Sequence, residues 1–584
     1  MSEYFFDHMP FLRRNSKSKL PTLQDGLFKI GCQAYHILVH DNNDNQIASY
    51  RSPPAVNPSD NPFVVIIPTS NPKGSQNRDK NKKRRFSRVF DSAPSTHSHD
   101  FEDWDSHFML RTDPDDFGRN DEWGQRGWFK PSCVPITIIL ILIVLVVLLP
   151  LMDNAERLES KPVQHNLADI LSCQQYCKFS LVESIPQGMS YRNGSTRFPS
   201  TFAVWSSMLA EATSSIEIAS SYWTLRDSDV VPQSVGMRRQ LKYPGSDEGE
   251  KIFKGLLEAG TERKLTIKIA QDLPAARHPN YDTEYLASMG AAQVRSLNFR
   301  KLVGAGILHT KLWIADRKSA YVGSANLDWR SLTQVKEMGI YIKNCSCLVN
   351  DIAKIFDVYW MLGLPNAVVP SQFPDNVTTT FNKATPLPMT INSSSIGIYA
   401  SSSPPKFCPN GRTSDISAVL DVISKARKFI FIAVMDYFPL TIYSQHPKYW
   451  GVIDDALKTA AIENGAEVRL LISWWDHSRE SAKFFLRSLV ALTGAYPGLN
   501  ISAKLFVVPS TAEQSQIPYA RVNHNKYMVT EKSTLIGTSN WSGDYFLWTG
   551  GISIVTEGSS ELRDELEEVF LRDWNSEFAY DLPR

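Results

Sequence analysis

Two short segments carry residues whose types and spacing could cleave a phosphodiester. The first reads His309-Thr310-Lys311, followed by Asp316 and then by Gly323-Ser324-Ala325-Asn326. The second reads His524-Asn525-Lys526, followed by Glu531 and then by Gly537-Thr538-Ser539-Asn540. A lone His-x-Lys carries no information, and a lone histidine is most simply a satisfied core residue. Two copies, each with an acidic residue and a Gly-[Ser/Thr]-x-Asn at matched spacing, form a specific signal.

The chemistry follows from the groups. On an extended strand residues i and i+2 share a face, so each histidine projects together with its lysine. Gly323 and Gly537 allow close backbone approach, and Ser324, Thr538, Asn326 and Asn540 are expected to donate hydrogen bonds nearby. Two imidazoles, two ammonium groups and two carboxamides suit a phosphoryl group. One neutral imidazole attacks phosphorus, and the other protonates the leaving oxygen and later activates the acceptor. The lysines and asparagines stabilise the non-bridging oxygens. Asp316 and Glu531 lie an odd offset from their histidines on a strand, so both are expected to be structural; Glu337 is the candidate to orient the other half's histidine. No His/Cys/Asp cluster has metal-ligand spacing, so the expected reaction needs no metal and no cofactor.

These groups need elements to hold them, and the chain supplies them twice. Helix-like 206–214, strand-like Ile216–Trp223, helix-like 251–259, strand-like Leu265–Ala270 and the motif segment Ile307–Ala315 recur in order. Their counterparts are 417–426, Phe429–Val434, 453–463, Val468–Ile472 and Val522–Thr530. Ile216 precedes His309 by 93 residues and Ile430 precedes His524 by 94. Strands alternating with helices predict an α/β fold of two similar halves with mostly parallel sheets, related by a pseudo-twofold axis. Aromatics at the expected strand ends (Tyr222, Trp223, Tyr437, Trp474 and Trp475) are candidates to stack bases of a single strand.

At 584 residues the chain has room for several domains. Its net charge of +1 gives no support to a nucleic-acid or membrane-surface role, so local features must decide. Residues 131–152 hold no charged side chain and read as a transmembrane helix. Lys and Arg are more frequent before it (Arg111, Arg119, Arg126, Lys130 and a cluster at 80–85) than after it (Arg157, Lys161). That bias predicts a type II orientation with the C-terminal part luminal. The sequons at Asn193, Asn344, Asn376, Asn392 and Asn500, and five of the seven cysteines, all follow this segment. Asn540-Trp-Ser is also a sequon, but a glycan there would block the site. The division expected is a largely disordered cytosolic tail (1–130), the transmembrane helix (131–152), a luminal stalk and the start of the domain (153–190), a first half (191–364), a connector (365–405) and a second half (406–584). Within the tail, Tyr35-His-Ile-Leu38 has the form of a sorting signal.

The duplicated pattern resembles the phospholipase D superfamily over roughly 165–580. The segments 323–332, Asn344-Cys-Ser-Cys347, Val434-Met-Asp-Tyr437 and 524–531 resemble the subgroup of family members 3 and 4, including Glu531 where the superfamily at large has Asp. That resemblance implies a type II protein of the endoplasmic reticulum, Golgi and endolysosome. It implies 5′-to-3′ exonuclease activity on single-stranded DNA and RNA, with lipid transphosphatidylation as an alternative acting at the same site. It also implies disulfides between the Cys173/Cys177 and Cys345/Cys347 pairs, read as Cys173–Cys347 and Cys177–Cys345, which leaves Cys408 odd. The long N-terminus departs from the subgroup. The expected partners are single-stranded nucleic acid or phospholipid as substrate, the membrane through one helix, and a second copy in a homodimer. A catalytically dead tethered binding protein is the third reading, and two intact motifs argue against it.

Overall fold

A computed structural model describes residues 173–191, 198–226, 243–275, 279–391, 394–443 and 446–583. The tail, the 131–152 segment, most of the stalk, Asn193 and Asn392 lie outside the described residues. Among those described, no helix is long and apolar enough to cross a membrane.

Two sheets organise the chain. The first runs, in spatial order, Lys178–Ser184, Glu337–Lys343, Ser319–Gly323, Lys311–Ala315, Ser215–Ser220, Thr266–Asp272 and Gln293–Leu297. The second runs Leu387–Ile391, Ser394–Ser403, Gly551–Glu557, Ser533–Gly537, Lys526–Thr530, Phe429–Val434, Glu467–Ser473, Ile501–Phe506 and Ala579–Asp581. Six consecutive strands, Glu337–Lys343 to Gln293–Leu297 and Gly551–Glu557 to Ile501–Phe506, recur in the same order. The register also recurs: Lys311 faces Ser220 and Lys526 faces Val434.

The sheets are mixed, which corrects the expectation of mostly parallel ones. Helical crossovers join only three strands per half in parallel, such as Ser215–Ser220 with Thr266–Asp272 and Gln293–Leu297. Each motif strand instead turns straight back in a hairpin, antiparallel to Ser319–Gly323 or Ser533–Gly537. A turn of so few residues can only reverse the chain, whereas parallel neighbours need a crossover of a dozen or more residues. At the first hairpin Asp316 and Arg317 both take positive φ (52° each), as such a tight turn requires.

Two further segments extend the sheets. Lys178–Ser184, in the segment expected to start the domain, pairs with Glu337–Lys343. Within the expected connector, Leu387–Ile391 and Ser394–Ser403 build the edge of the second sheet.

Both faces of the motif strands are covered. Leu312 and Ile314 enter a core shared with Tyr527, Val529 and the helices Ser346–Leu362 and Glu561–Trp574. Trp313 and Ala315 alternate into the outer core of the first half, and Met528 into that of the second. With period-2 alternation and apolar layers on both sides, the register is tightly specified.

Candidate active site

Each histidine sits just ahead of its motif strand, and the other half pins it there. His309 N–H donates to the Gly550 carbonyl (2.9 Å), and Gly550 N–H donates to Ile307 (2.9 Å). Reciprocally, His524 N–H donates to the Lys336 carbonyl (2.8 Å), and Lys336 N–H donates to Val522 (2.9 Å). The segment that enters Glu337–Lys343 therefore fixes His524, and the one that enters Gly551–Glu557 fixes His309. Gly550 has no room for a side chain, since a Cβ there would meet Phe299 at 2.8 Å and Leu308 at 2.9 Å. The two halves cannot form this site separately.

Lys311 and Lys526 are buried, and each ammonium donates to the carbonyl of its own histidine (2.6 and 2.7 Å). Burial and the charge of Lys526 push Lys311 well below the usual lysine range. Burial likewise takes Lys526 down to about 7, with Glu337 and Asp436 opposing it. Asn326 and Asn540 are buried beside them. The Asn326 amide donates to Tyr222 Oη (3.2 Å), and the Asn540 amide to Tyr545 Oη (3.2 Å) and Asp436 (3.4 Å). Ser324 and Thr538 do not face the site as donors. Ser324 Oγ donates to the Met338 carbonyl and accepts Met338 N–H, and Thr538 Oγ1 accepts Ile552 N–H, so both stitch the neighbouring strand.

The two histidines differ. Glu337, fully buried, holds His524 Nδ1 at 2.9 and 3.1 Å, and Ser331 Oγ donates to the same carboxylate (2.7 Å). The structurally equivalent position in the second half is Gly551, and His309 Nδ1 is buried without a hydrogen-bond partner among the described residues. The Tyr545 ring packs edge-on against His309, with centroids 5.0 Å apart. Burial, then Lys311, Lys526 and His524, drive His309 well below the usual histidine range, with the Thr538 backbone carbonyl the one group favouring its proton. Burial also lowers His524, but Glu337 opposes the shift. A neutral imidazole and a more readily protonated one are thus paired across two buried ammonium groups.

Asp316 and Glu531 lie away from this cluster. Asp316 accepts the backbone N–H of Thr213, Ser214 and Ser215 (2.8 Å each), and these bonds hold its carboxyl far below the usual range although burial raises it. Glu531 accepts Arg427 N–H (2.8 Å) in the matching place. Both secure the entry to the strand beside the motif strand. Of the aromatics expected to stack bases, Trp223 and Tyr437 are corrected to core residues. They are 2% and 1% exposed inside the outer cores, and Tyr437 Oη donates to Asp454 (2.6 Å), so neither can offer a ring face. Tyr222 is half-buried and donates to Asp328 (3.1 Å) beside Asn326. Asp436 and Tyr545 are site neighbours that the motif reading does not contain; their one signal is adjacency, at the end of Phe429–Val434 and just beyond Asn540.

The disulfides are Cys173–Cys347 and Cys177–Cys345, tying the start of the described domain to the N-terminus of helix Ser346–Leu362. These four cysteines are also the one cluster among the described residues close enough to hold a metal, and their thiols are consumed. Cys408 is free, and burial pushes its thiol up to about 11. Asn344, Asn376 and Asn500 are exposed, whereas Asn540 is buried at the site.

Residues 194–511 match the family model described as PLD3/4, PLD-like domain. Human 5'-3' exonuclease PLD3 is 46% identical over 412 residues, 70% of this chain and 82% of that protein. Mouse 5'-3' exonuclease PLD4 is 40% identical over 416 residues, 70% of this chain and 80% of that protein. A phosphatidylserine synthase from Haemophilus influenzae superposes on 65% of this chain and 84% of its own, at 11% identity and a TM-score of 0.42. The chain belongs to the PLD3/4 family of phospholipase D-like proteins.

Proposed function

We propose that the chain is a membrane-tethered luminal phosphodiesterase that removes nucleotides from the 5′ end of single-stranded DNA or RNA through a phosphohistidine intermediate. The observation that carries the chemistry is the unlike pair of histidines, one backed by Glu337 and one with no acidic partner, set across Lys311 and Lys526. The choice of nucleic acid is supported by the relatives named as 5'-3' exonucleases.

His309, neutral, attacks phosphorus with Nε2, and the bond from phosphorus to the leaving oxygen breaks. His524 gives that oxygen its proton from Nε2 while Glu337 holds Nδ1–H. Lys311, Lys526, Asn326 and Asn540, all buried, stabilise the charge on the non-bridging oxygens. In the second step the now neutral His524 takes a proton from water, and the water oxygen displaces His309 from phosphorus. Both histidines return to their starting states. A phosphodiester anion also offsets the burial that depresses both lysines and the Lys526 charge that further depresses Lys311.

Anchoring by residues 131–152 and luminal placement are supported by the flanking charge bias, the exposed sequons and the two disulfides, which form in oxidising compartments. The test is release of nucleotides from a 5′-hydroxyl oligonucleotide at about pH 5 with chelator present. The wild-type protein is expected to shorten it from the 5′ end, and His309→Ala and His524→Ala to abolish release. Turnover of phospholipid but not oligonucleotide would overturn the substrate; full activity in either variant would overturn the shared site.

A further inference from the structure

Beside His524 lies a groove of about 420 Å³ that the catalytic groups do not use. Its walls come from the turn after Glu467–Ser473 (Trp474, Trp475, His477) and the loop leading into the second motif (Tyr519, Arg521). Three of these rings form a contiguous aromatic cluster. His477 stacks on Tyr519 with centroids 4.7 Å apart and planes 21° from parallel, and its edge meets Trp475 at 4.7 Å. Tyr519 is 63% exposed, an unusual fate for a tyrosine in a position of positive φ (57°). Among the described residues none covers its outer face.

Arg521 lies against the groove with its guanidinium committed to neutral acceptors. It donates to the carbonyls of Pro509 (3.0 Å) and Gln187 (3.0 Å) and to the Gln334 side chain (3.3 Å). Among the described residues no carboxylate pairs with it. Asp476 is the one acidic side chain among those lining the groove. A buried cation without a described carboxylate partner, lining the same groove as the aromatic rings, suits a ligand that alternates flat rings with anions.

The groove adjoins the active site through short links. Arg521 precedes His524 by three residues, no more than ~11 Å of extended chain. Ser473 Oγ accepts Asn523 N–H (3.2 Å), fixing the Trp474–Trp475 turn to the residue before His524. Arg330 donates to the Pro518 carbonyl (2.6 Å) and to Asp328, which also accepts Tyr222 Oη, the partner of Asn326.

Resting on the exonuclease reading above, we infer that this groove is a base-stacking subsite that holds a nucleotide of the single-stranded substrate away from the scissile phosphate, with Tyr519, His477 and Trp475 as the platform and Arg521 supplying charge. Base–aromatic stacking is sequence-tolerant because every base has a π-face.

The experiment compares kcat/KM for a 5′-hydroxyl 12-mer with kcat/KM for an aryl phosphodiester too short to reach the groove. Tyr519→Asn removes the ring and suits the left-handed backbone, and it should lower the ratio of the two constants by about 5- to 100-fold. His477→Ala should lower it in the same direction, and Tyr519→Phe, which keeps the ring, should restore it. The ratio is insensitive to the fraction of folded protein. An unchanged ratio in both Tyr519→Asn and His477→Ala would overturn the subsite. Wild-type cleavage of the aryl ester without cleavage of the 12-mer would instead overturn the exonuclease reading on which it rests.

Discussion

Replacing Glu337 by glutamine tests the division of labour between the histidines. The change keeps the shape and the Ser331 hydrogen bond but removes a fully buried charge held 2.9 Å from His524 Nδ1. Burial and the lysines push the His524 pKa down, and Glu337 is the group that opposes them. An opposite charge at this range moves a pKa by about 1 to 3, or roughly 1.4 to 4 kcal/mol between the two protonation states. Leaving-group protonation requires His524 charged. On the alkaline limb the rate follows its protonated fraction, so the variant should lose about 10- to 1000-fold there. The acid limb is set by protonation of His309, which has no acidic partner, and should move little. The profile should therefore narrow and shift to lower pH. Initial rates on a 5′-hydroxyl oligonucleotide from about pH 4 to 7 would read it. An unchanged profile, or an optimum moved to higher pH, would refute the assignment of His524 as the acid.

Lys336, fully buried between Glu183 (3.0 Å) and Asp573 (2.8 Å), should cost about 3 to 5 kcal/mol when changed to methionine, because two carboxylates lose their buried partner. Burial would raise the Asp573 carboxyl, but Lys336 and Arg572 hold it below the usual range. The stability it contributes is present above the ordinary carboxylate pKa and is lost as pH falls through the lower folded value. The gap to wild type in urea denaturation should thus narrow below about pH 4. Inorganic phosphate should stabilise the fold by about 2.7 kcal/mol at a hundredfold excess over its Kd. Because Lys526 sits at about 7, phosphate binding near neutrality should draw a proton from buffer, which calorimetry in two buffers of different ionisation enthalpy would detect. Removing the Cys177–Cys345 bridge by a double alanine change should cost about 2 to 5 kcal/mol in denaturant.

What the sequence disclosed was whatever repeats or alternates locally. Phe429–Val434 is legible to the residue because six apolar, mostly β-branched or aromatic residues cannot be left exposed. The motif spacing likewise reveals two halves. Strand direction was not legible, because Ser319–Gly323 and Ser533–Gly537 look like turns after a motif when their pairing partners are unknown. Lys178–Ser184 was hidden for the same reason, since its partner is some 160 residues away in Glu337–Lys343. Trp223 and Tyr437 show the converse failure: position at a strand end says nothing about which way a ring points. The Glu337–His524 contact was within reach because a catalytic imidazole needs an acidic group to fix its orientation and tautomer.

The duplication explains how one active site acquired two different histidines. At equivalent positions the first half has Glu337 with Ala325 and the second has Gly551 with Ser539. A Cβ on Gly551 would meet Ser539 Oγ at 2.5 Å, Ser403 Oγ at 2.7 Å and Asp415 at 3.1 Å. A carboxylate cannot be accommodated there, and a hydroxyl stands where the first half has a methyl group. Five residues beyond each asparagine, Ser331 supports Glu337 whereas Tyr545 covers His309 with its ring. The missing carboxylate leaves the proton affinity of His309 below that of His524, which Glu337 supports. Two identical imidazoles would share a single proton equally, so neither would be fixed as the attacking or the donating group. Unlike environments separate the two, so that over a mildly acidic range one is free to attack while the other can still donate. The pseudo-twofold framework brings the groups together, and its local breaking at Glu337 and Gly551 is what gives them different tasks.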